Sequence, residues 1–217
     1  MDALSTQQII DAGLDDWRKL AQGLHARYAI PDFRAGASFI AAVADAAETA
    51  NHHPDVRFGY GYVDFSLCTH ENGYWVTDKD VQLARQISAL ARERALEPHP
   101  GDVAQLELAL DTAREAVVGP FWAALLTGSA SNKIHDTVFD PTGRTPSLWF
   151  QETDEHDAPR QRWHFDLWLA PEVVDDRIAA AVAVGGRVVD DAAAPSFIVL
   201  ADQDDNRVCI CTYLDRG

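Results

Sequence analysis

Three cysteines, Cys68, Cys209 and Cys211, are too few in 217 residues for a disulfide framework. Their odd number and spacing suit a chain kept in a reducing compartment. Apolar residues nowhere run for the roughly 18 positions that a membrane-crossing helix needs. The N-terminal stretch also lacks the basic start and apolar core of a secretory signal, so the expectation is a cytoplasmic protein with no membrane partner. Cations are scarce as well, with 18 Lys and Arg against 34 Asp and Glu and a net charge of −16. Phosphate backbones are gripped by clustered basic side chains, so nucleic acid is not an expected partner. Apolar residues are plentiful, at 47% of the chain, which is enough to build two cores.

The densest chemistry lies between residues 48 and 80, ETANHHPDVRFGYGYVDFSLCTHENGYWVTDKD. Phe33, Gly36, Ile40, Val43, Ala47 and Ala50 recur at the spacing of one buried helix face over residues 32–50. Pro31 and Asp32 suit the first turn of that helix, and Asn51 with Pro54 suits its end. His52 and His53 therefore fall just past a helix C-terminus. The partial negative charge of the free carbonyls there favours a cation by up to about 2 kcal/mol when partly buried. Residues 62–70 alternate as a half-buried strand, with Val63, Phe65, Leu67 and Thr69 on one face and Tyr62, Asp64, Ser66, Cys68 and His70 on the other. Histidine titrates near neutral pH, so three imidazoles around one pocket imply proton transfer. A lone histidine at a helix end is more often a cap for the last carbonyls. It is the set of His52-His53-Pro54, Glu48, Tyr60, His70 and Asp80 that points to chemistry.

Glu48-x-x-x-His52-His53-Pro54, Tyr60, His70 and Thr77-Asp78-Lys79-Asp80 resemble the signature of the pterin-4a-carbinolamine dehydratases, over roughly residues 4–94. Trp17, the Arg27-Tyr28 strand, the Asp32-Phe33 helix start and the Leu83-Ala84 helix also fall where that family has such residues. The resemblance implies dehydration of a 4a-hydroxytetrahydropterin to the quinonoid dihydropterin, with no metal and no dissociable cofactor. It implies His52, His53 and His70 as the catalytic histidines, with the acid and base among them left open. Glu48, Tyr60, Thr69 and Asp80 are the implied substrate-binding positions, Asp80 by orienting a histidine. The chain departs from the family form by one extra residue between His70 and Asp80. Val56 also stands where some members carry an aromatic residue.

A charged stretch with Pro and Gly, from Arg92 to Gly101, marks a connector, so the expected domains are 1–97 and 98–217. Beyond it a pattern repeats after some fifty to sixty residues. Leu106, Leu108 and Leu110 alternate before a helix from Thr112 to Leu126 that ends at Gly128. Phe165, Leu167 and Leu169 alternate before a helix from Glu172 to Val184 that ends at Gly185-Gly186. Short strands follow each helix: Thr137–Phe139 and Leu148–Gln151, then Val188-Val189, Phe197–Leu200 and Val208–Tyr213. Strand, helix, strands, twice over, with Gly119-Pro120-Phe121-Trp122 and Trp163-His164-Phe165-Asp166-Leu167, is similar to the glyoxalase-like members of the vicinal-oxygen-chelate superfamily. The expected fold class is thus α+β. A four-stranded antiparallel sheet with helices on one face would be followed by a paired βαβββ domain.

Metal-dependent members of that superfamily use inward-facing His, Glu or Gln, and here His164 would be joined only by Gln105, Gln151 and Cys209. Such a set suits a divalent ion poorly, so no metal is expected. The resemblances together imply a pterin as the small-molecule partner, a homodimer, and a place beside an aromatic amino acid hydroxylase. The alternative is a non-catalytic pterin- or small-molecule-binding or assembly protein built around the glyoxalase-like domain.

Overall fold

The protein is described by a computed structural model that covers residues 2–71, 73–155, 163–183, 185–201 and 207–216. Asn72 and Val184, on which sequence expectations fall, lie outside these. The chain forms two compact units, one of Met1–Ala104 with Leu169–Val174 and Thr212–Gly217, the other of Gln105–Trp168 with Asp175–Cys211.

The first unit runs α1 (Thr6–Asp11), β1 (Arg18–Leu20), β2 (Gly23–Ala29), α2 (Phe33–Ala50), β3 (Asp55–Gly59), β4 (Tyr62–Leu67) and α3 (Asp78–Glu93). Its four strands form an antiparallel sheet in the order β1-β2-β4-β3. Strand β4 alternates as its sequence predicts, with Val63, Phe65 and Leu67 buried and Tyr62, Asp64 and Ser66 half-buried on the other face. Leu24, Ala26 and Tyr28 of β2 join them on the core side, where α2 and α3 pack. Helix α2 begins where Asp32 accepts the Ala35 N–H at 2.8 Å, which satisfies one of the free donors of the first turn.

Its buried stripe is Gly36, Phe39, Val43 and Ala47, which corrects the expected face. Phe39 takes the central place, with its ring edge-on to Tyr28 at 5.5 Å and to Phe65 at 5.4 Å. Phe33 lies in the open at the helix start, stacked on Phe58 at 4.1 Å. Beneath Phe39 the Tyr28 hydroxyl lies 3.1 Å from Ser88 Oγ, which also accepts from Trp17 Nε1 at 3.1 Å. Polar groups in this core are thus paired with each other, as burial requires. Burial holds the Tyr28 phenol above its ordinary pKa.

On the opposite face of the sheet His25 Nδ1 lies 3.0 Å from Ser66 Oγ. Burial, helped by Lys19, outweighs a hydrogen bond to the Leu20 backbone and the charge of Asp64, and the imidazole is pushed down to about 4. The unfolded chain therefore binds this proton at higher pH than the native one. Stability should fall as pH drops from His25's unfolded value near 6.5 towards 4, by at most about 1.4 kcal/mol per pH unit, and the loss from this group is complete below 4. Urea unfolding across that window should show a shallower pH slope for His25→Gln than for the wild type. An identical slope would mean that His25 is not buried as a neutral ring.

The second unit is organised on an eight-stranded sheet built from two βαβββ halves. One βαβββ half consists of β5 (Ala104–Thr112), α4 (Glu115–Thr127), β6 (Lys133–Ile134), β7 (Thr137–Val138) and β8 (Leu148–Glu152). The other consists of β9 (Trp163–Leu169), α5 (Val174–Ala183), β10 (Arg187–Asp190), β11 (Phe197–Ala201) and β12 (Arg207–Cys211). In each half the first strand pairs in parallel with the last, β5 with β8 and β9 with β12, and the halves meet where β5 adjoins β9. Helix α4 starts at Glu115 rather than Thr112 because β5 continues, placing Asp111 opposite Gln151 and Thr112 opposite Glu152. Leu110, Ala123, Val138, Leu148 and Phe150 form the buried cluster between α4 and the sheet. No helix among the described residues is long and apolar enough to cross a membrane.

Candidate active site

Helix α2 ends at Asn51, whose left-handed backbone (φ 46°) turns the chain back across the last carbonyls. Asn51 N–H donates to Glu48 O at 3.2 Å and His52 N–H to Ala47 O at 3.1 Å, the paired bonds of a Schellman end. The His52 backbone is therefore fixed by the helix itself. Its side chain turns inward, only 10% exposed, and its Nε2 meets Asp80 Oδ1 at 2.7 Å.

Asp80 is completely buried, so its charge must be met by donors. Thr77 and Asp80 form the capping box that opens α3, with Thr77 N–H donating to Asp80 Oδ2 at 2.7 Å and Thr77 Oγ1 lying 3.0 Å from the same oxygen. Thr69 Oγ1 donates to that oxygen from β4's side at 2.7 Å. All of this leaves Oδ1 directed at His52. A carboxylate only accepts, so the hydrogen shared with His52 sits on Nε2 and leaves Nδ1 as the imidazole's second working atom.

Thr69 is buried, and its hydroxyl is spent on Asp80 and, at 2.8 Å, on Thr77 Oγ1. Its backbone is paired too: Thr69 N–H donates to Trp75 O at 2.8 Å and Trp75 N–H to Thr69 O at 3.1 Å. The structure thus places Thr69 behind the histidine, holding Asp80. His70 follows it directly, exposed, with its ring 4.5 Å from that of Tyr74. His53 points outward at 57% exposure and pairs through Nε2 with Glu48 Oε1 at 3.1 Å. Glu48 therefore meets His53, not His52, and so open an ion pair contributes at most about 1 kcal/mol.

Tyr60 is not brought to this group. It occupies the turn between β3 and β4, 98% exposed, and the five residues of β3 separate it from the His53-Pro54 corner, about 17 Å at ~3.4 Å per residue. Six residues of sequence after Pro54 become a strand's length because β3 runs away from the corner. Cys68, beside Thr69, is half-buried, and its thiol is pushed up to about 12 by burial and then by the charge of Asp80. Cys68, Cys209 and Cys211 are not joined in disulfides.

In the second unit His164 Nδ1 lies 3.2 Å from Asp111 Oδ1, and its Nε2 lies 3.8 Å from Asp166 Oδ1. Trp149 Nε1 donates to Asp166 Oδ2 at 3.0 Å and presents its ring edgewise to His164 at 5.4 Å. Glu107, buried on the same strand as Asp111, accepts from Ser147 Oγ at 2.7 Å and Trp168 Nε1 at 2.8 Å. These three carboxylates escaped the sequence reading. For Glu107 and Asp111 the signal was present in the alternation of β5, where 107, 109 and 111 share the face opposite Leu108 and Leu110, and for Asp166 in its i, i+2 spacing from His164 on β9. Gln151 is exposed beside Asp111, and Cys209 stands opposite Asp166 in register. Among the described residues no group of three or more His, Cys, Asp or Glu side chains is placed to hold a metal ion.

Residues 2–90 match the family described as Pterin 4 alpha carbinolamine dehydratase, and residues 107–211 match the Glyoxalase-like domain family. A Nocardia farcinica protein named "Putative pterin-4-alpha-carbinolamine dehydratase" is 39% identical over 93 residues, which are 42% of this chain and 97% of that protein. A Thermomicrobium roseum protein of the same name is 39% identical over 75 residues, 35% of this chain and 80% of its own length. Among solved structures, a transcriptional coactivator/pterin dehydratase from Brucella melitensis shares 34% identity over 42% of this chain and 99% of its own, with a TM-score of 0.39.

Proposed function

Since the chain belongs to the pterin-4-alpha-carbinolamine dehydratase family and carries a glyoxalase-like domain after the matching region, we propose that it dehydrates a 4a-hydroxytetrahydropterin. The product is the quinonoid dihydropterin plus water. The observation that carries this reading is the His52 imidazole held at 2.7 Å by a fully buried carboxylate. A carboxylate behind a histidine fixes the tautomer and steadies the imidazolium that forms when the ring takes a proton. His52 thus acts as the base through Nδ1 and removes a ring proton from the pterin. The nitrogen lone pair then expels the 4a-hydroxyl as the C4a–O bond breaks.

The departing oxygen needs a proton, and His70 supplies it as the general acid. His53 and Glu48, paired at the rim, hold the polar edge of the pterin or share in the proton transfer. Thr69 and Asp80 position His52 and do not touch substrate. Imidazole suits both roles because proton transfer is most effective when the group titrates near the working pH.

Ultraviolet decay of 4a-hydroxytetrahydropterin tests the proposal. The wild-type chain should accelerate the decay over buffer, and His70→Ala should lose well over tenfold of that acceleration with an unchanged melting temperature. A wild-type chain no faster than buffer would remove the activity, and an unimpaired His70→Ala would remove the acid.

A further inference from the structure

The proposed acid, His70, sits on an exposed loop without the buried carboxylate that fixes His52, and an exposed side chain ordinarily samples several rotamers. A general acid that is aimed correctly only part of the time gives up rate in proportion. Yet the loop around it is closed and braced. Thr69 and Trp75 exchange both backbone hydrogen bonds, at 2.8 and 3.1 Å, so His70 and Tyr74 are the first and last residues of the five between them and face each other across its neck. Their rings lie 4.5 Å apart at 38°. Gly73 has a backbone (φ 142°) that other residues rarely adopt, and a Cβ there would collide with the Trp75 indole. That indole folds over Gly73 and sets the path of the chain just before Tyr74. Tyr74 is half-buried, and its phenol is raised in pKa by burial, then by Cys68 and Asp55.

We propose that Tyr74 is the positioning residue for His70, its ring forming the wall that keeps the imidazole in one orientation for proton delivery to the departing 4a-oxygen. The idea rests on the dehydratase reading for its chemistry and on the Thr69–Trp75 loop for its geometry. It assigns to the Gly73-Tyr74-Trp75 stretch the task that Asp80 performs for His52. What the ring supplies is a flat face against His70, so phenylalanine should serve as well as tyrosine and an aliphatic residue should not.

The test combines kinetics with a substrate-free readout on the full chain. Tyr74→Leu should lower kcat for 4a-hydroxytetrahydropterin five- to tenfold with KM within twofold, while Tyr74→Phe stays within twofold of the wild type. In a His70→Ala background, Tyr74→Leu should cost nothing more, because the group it positions is gone. A further loss of the same size in that background, or a Tyr74→Phe as slow as Tyr74→Leu, would overturn the proposal. Without substrate, the His70 Hε1 proton resonance should carry a ring-current shift that Tyr74→Phe keeps and Tyr74→Leu abolishes. An Hε1 resonance indifferent to both substitutions also overturns the positioning role. Should the wild type show no dehydratase activity, this resonance decides the positioning by itself, so the failure of the reaction and that of the contact are told apart.

Discussion

His52→Ala should lower the rate of 4a-hydroxytetrahydropterin dehydration by about 10²- to 10⁴-fold, the span that one positioned acid or base contributes. The size follows from how completely the fold commits this side chain. The Schellman end of α2 fixes its backbone, the 2.7 Å bond to Asp80 fixes its ring, and only Nδ1 is left for substrate. Alanine also strips a partner from a buried carboxylate, which costs about 1–3 kcal/mol of stability. His52→Gln separates the two effects. Its amide can still donate to Asp80 Oδ1 but cannot accept and release a proton, so the rate should stay as low as in His52→Ala while the melting temperature recovers. A His52→Gln enzyme with near wild-type kcat would show that the ring is a strut rather than a base.

Asp80 carries the second large effect, and two substitutions divide it. Asp80→Ala removes the acceptor for Thr77 N–H, the Thr77 and Thr69 hydroxyls and His52 Nε2, all within 3.0 Å of the carboxylate. Leaving these donors buried without a partner should cost about 3–5 kcal/mol in urea unfolding. Asp80→Asn keeps the volume and most of the stability but loses the charge that supports a protonated His52. Its amide nitrogen can also face the imidazole and select the wrong tautomer. The rate should then fall by up to about 10⁴-fold, as when the carboxylate behind a catalytic histidine is neutralised. KM should hardly change, since Asp80 is sealed from the substrate. A loss confined to KM would place Asp80 in the binding surface and contradict its position at 0% exposure.

Much of this was legible in the chain because the signals are local. Asn51 before Pro54 announced the helix end, the alternation from Val63 to Thr69 announced the strand, and Thr77-Asp78-Lys79-Asp80 reads as a capping box once the helix is placed. The doubled strand-helix-strands pattern gave the second unit in the same way. What stayed hidden depends on pairing across the chain. The α2 stripe runs through Phe39 rather than Phe33 and Ile40 because Tyr28 and Phe65 on the sheet fix where the widest ring fits. Glu48 stands one helical turn before His52 in sequence, but the left-handed turn at Asn51 swings His53 back to it instead. Tyr60 kept its place in the motif and lost its place in the site, carried away by the β3–β4 hairpin. Asp111 reaches His164 only because β5 adjoins β9 in the sheet, a pairing between strands far apart in sequence, whereas Asp166 shares the His164 face of β9 itself.

Histidine resonances should be followed while a stable reduced pterin such as 7,8-dihydropterin is titrated into the full chain. His52 should carry its hydrogen on Nε2 before ligand is added. Saturable shifts should then appear at His52, His53 and His70, while His99 and His135 stay where they are. A proton found on Nδ1 of His52, or pterin binding that leaves His52 undisturbed, would rule out His52 as the base at a pterin site.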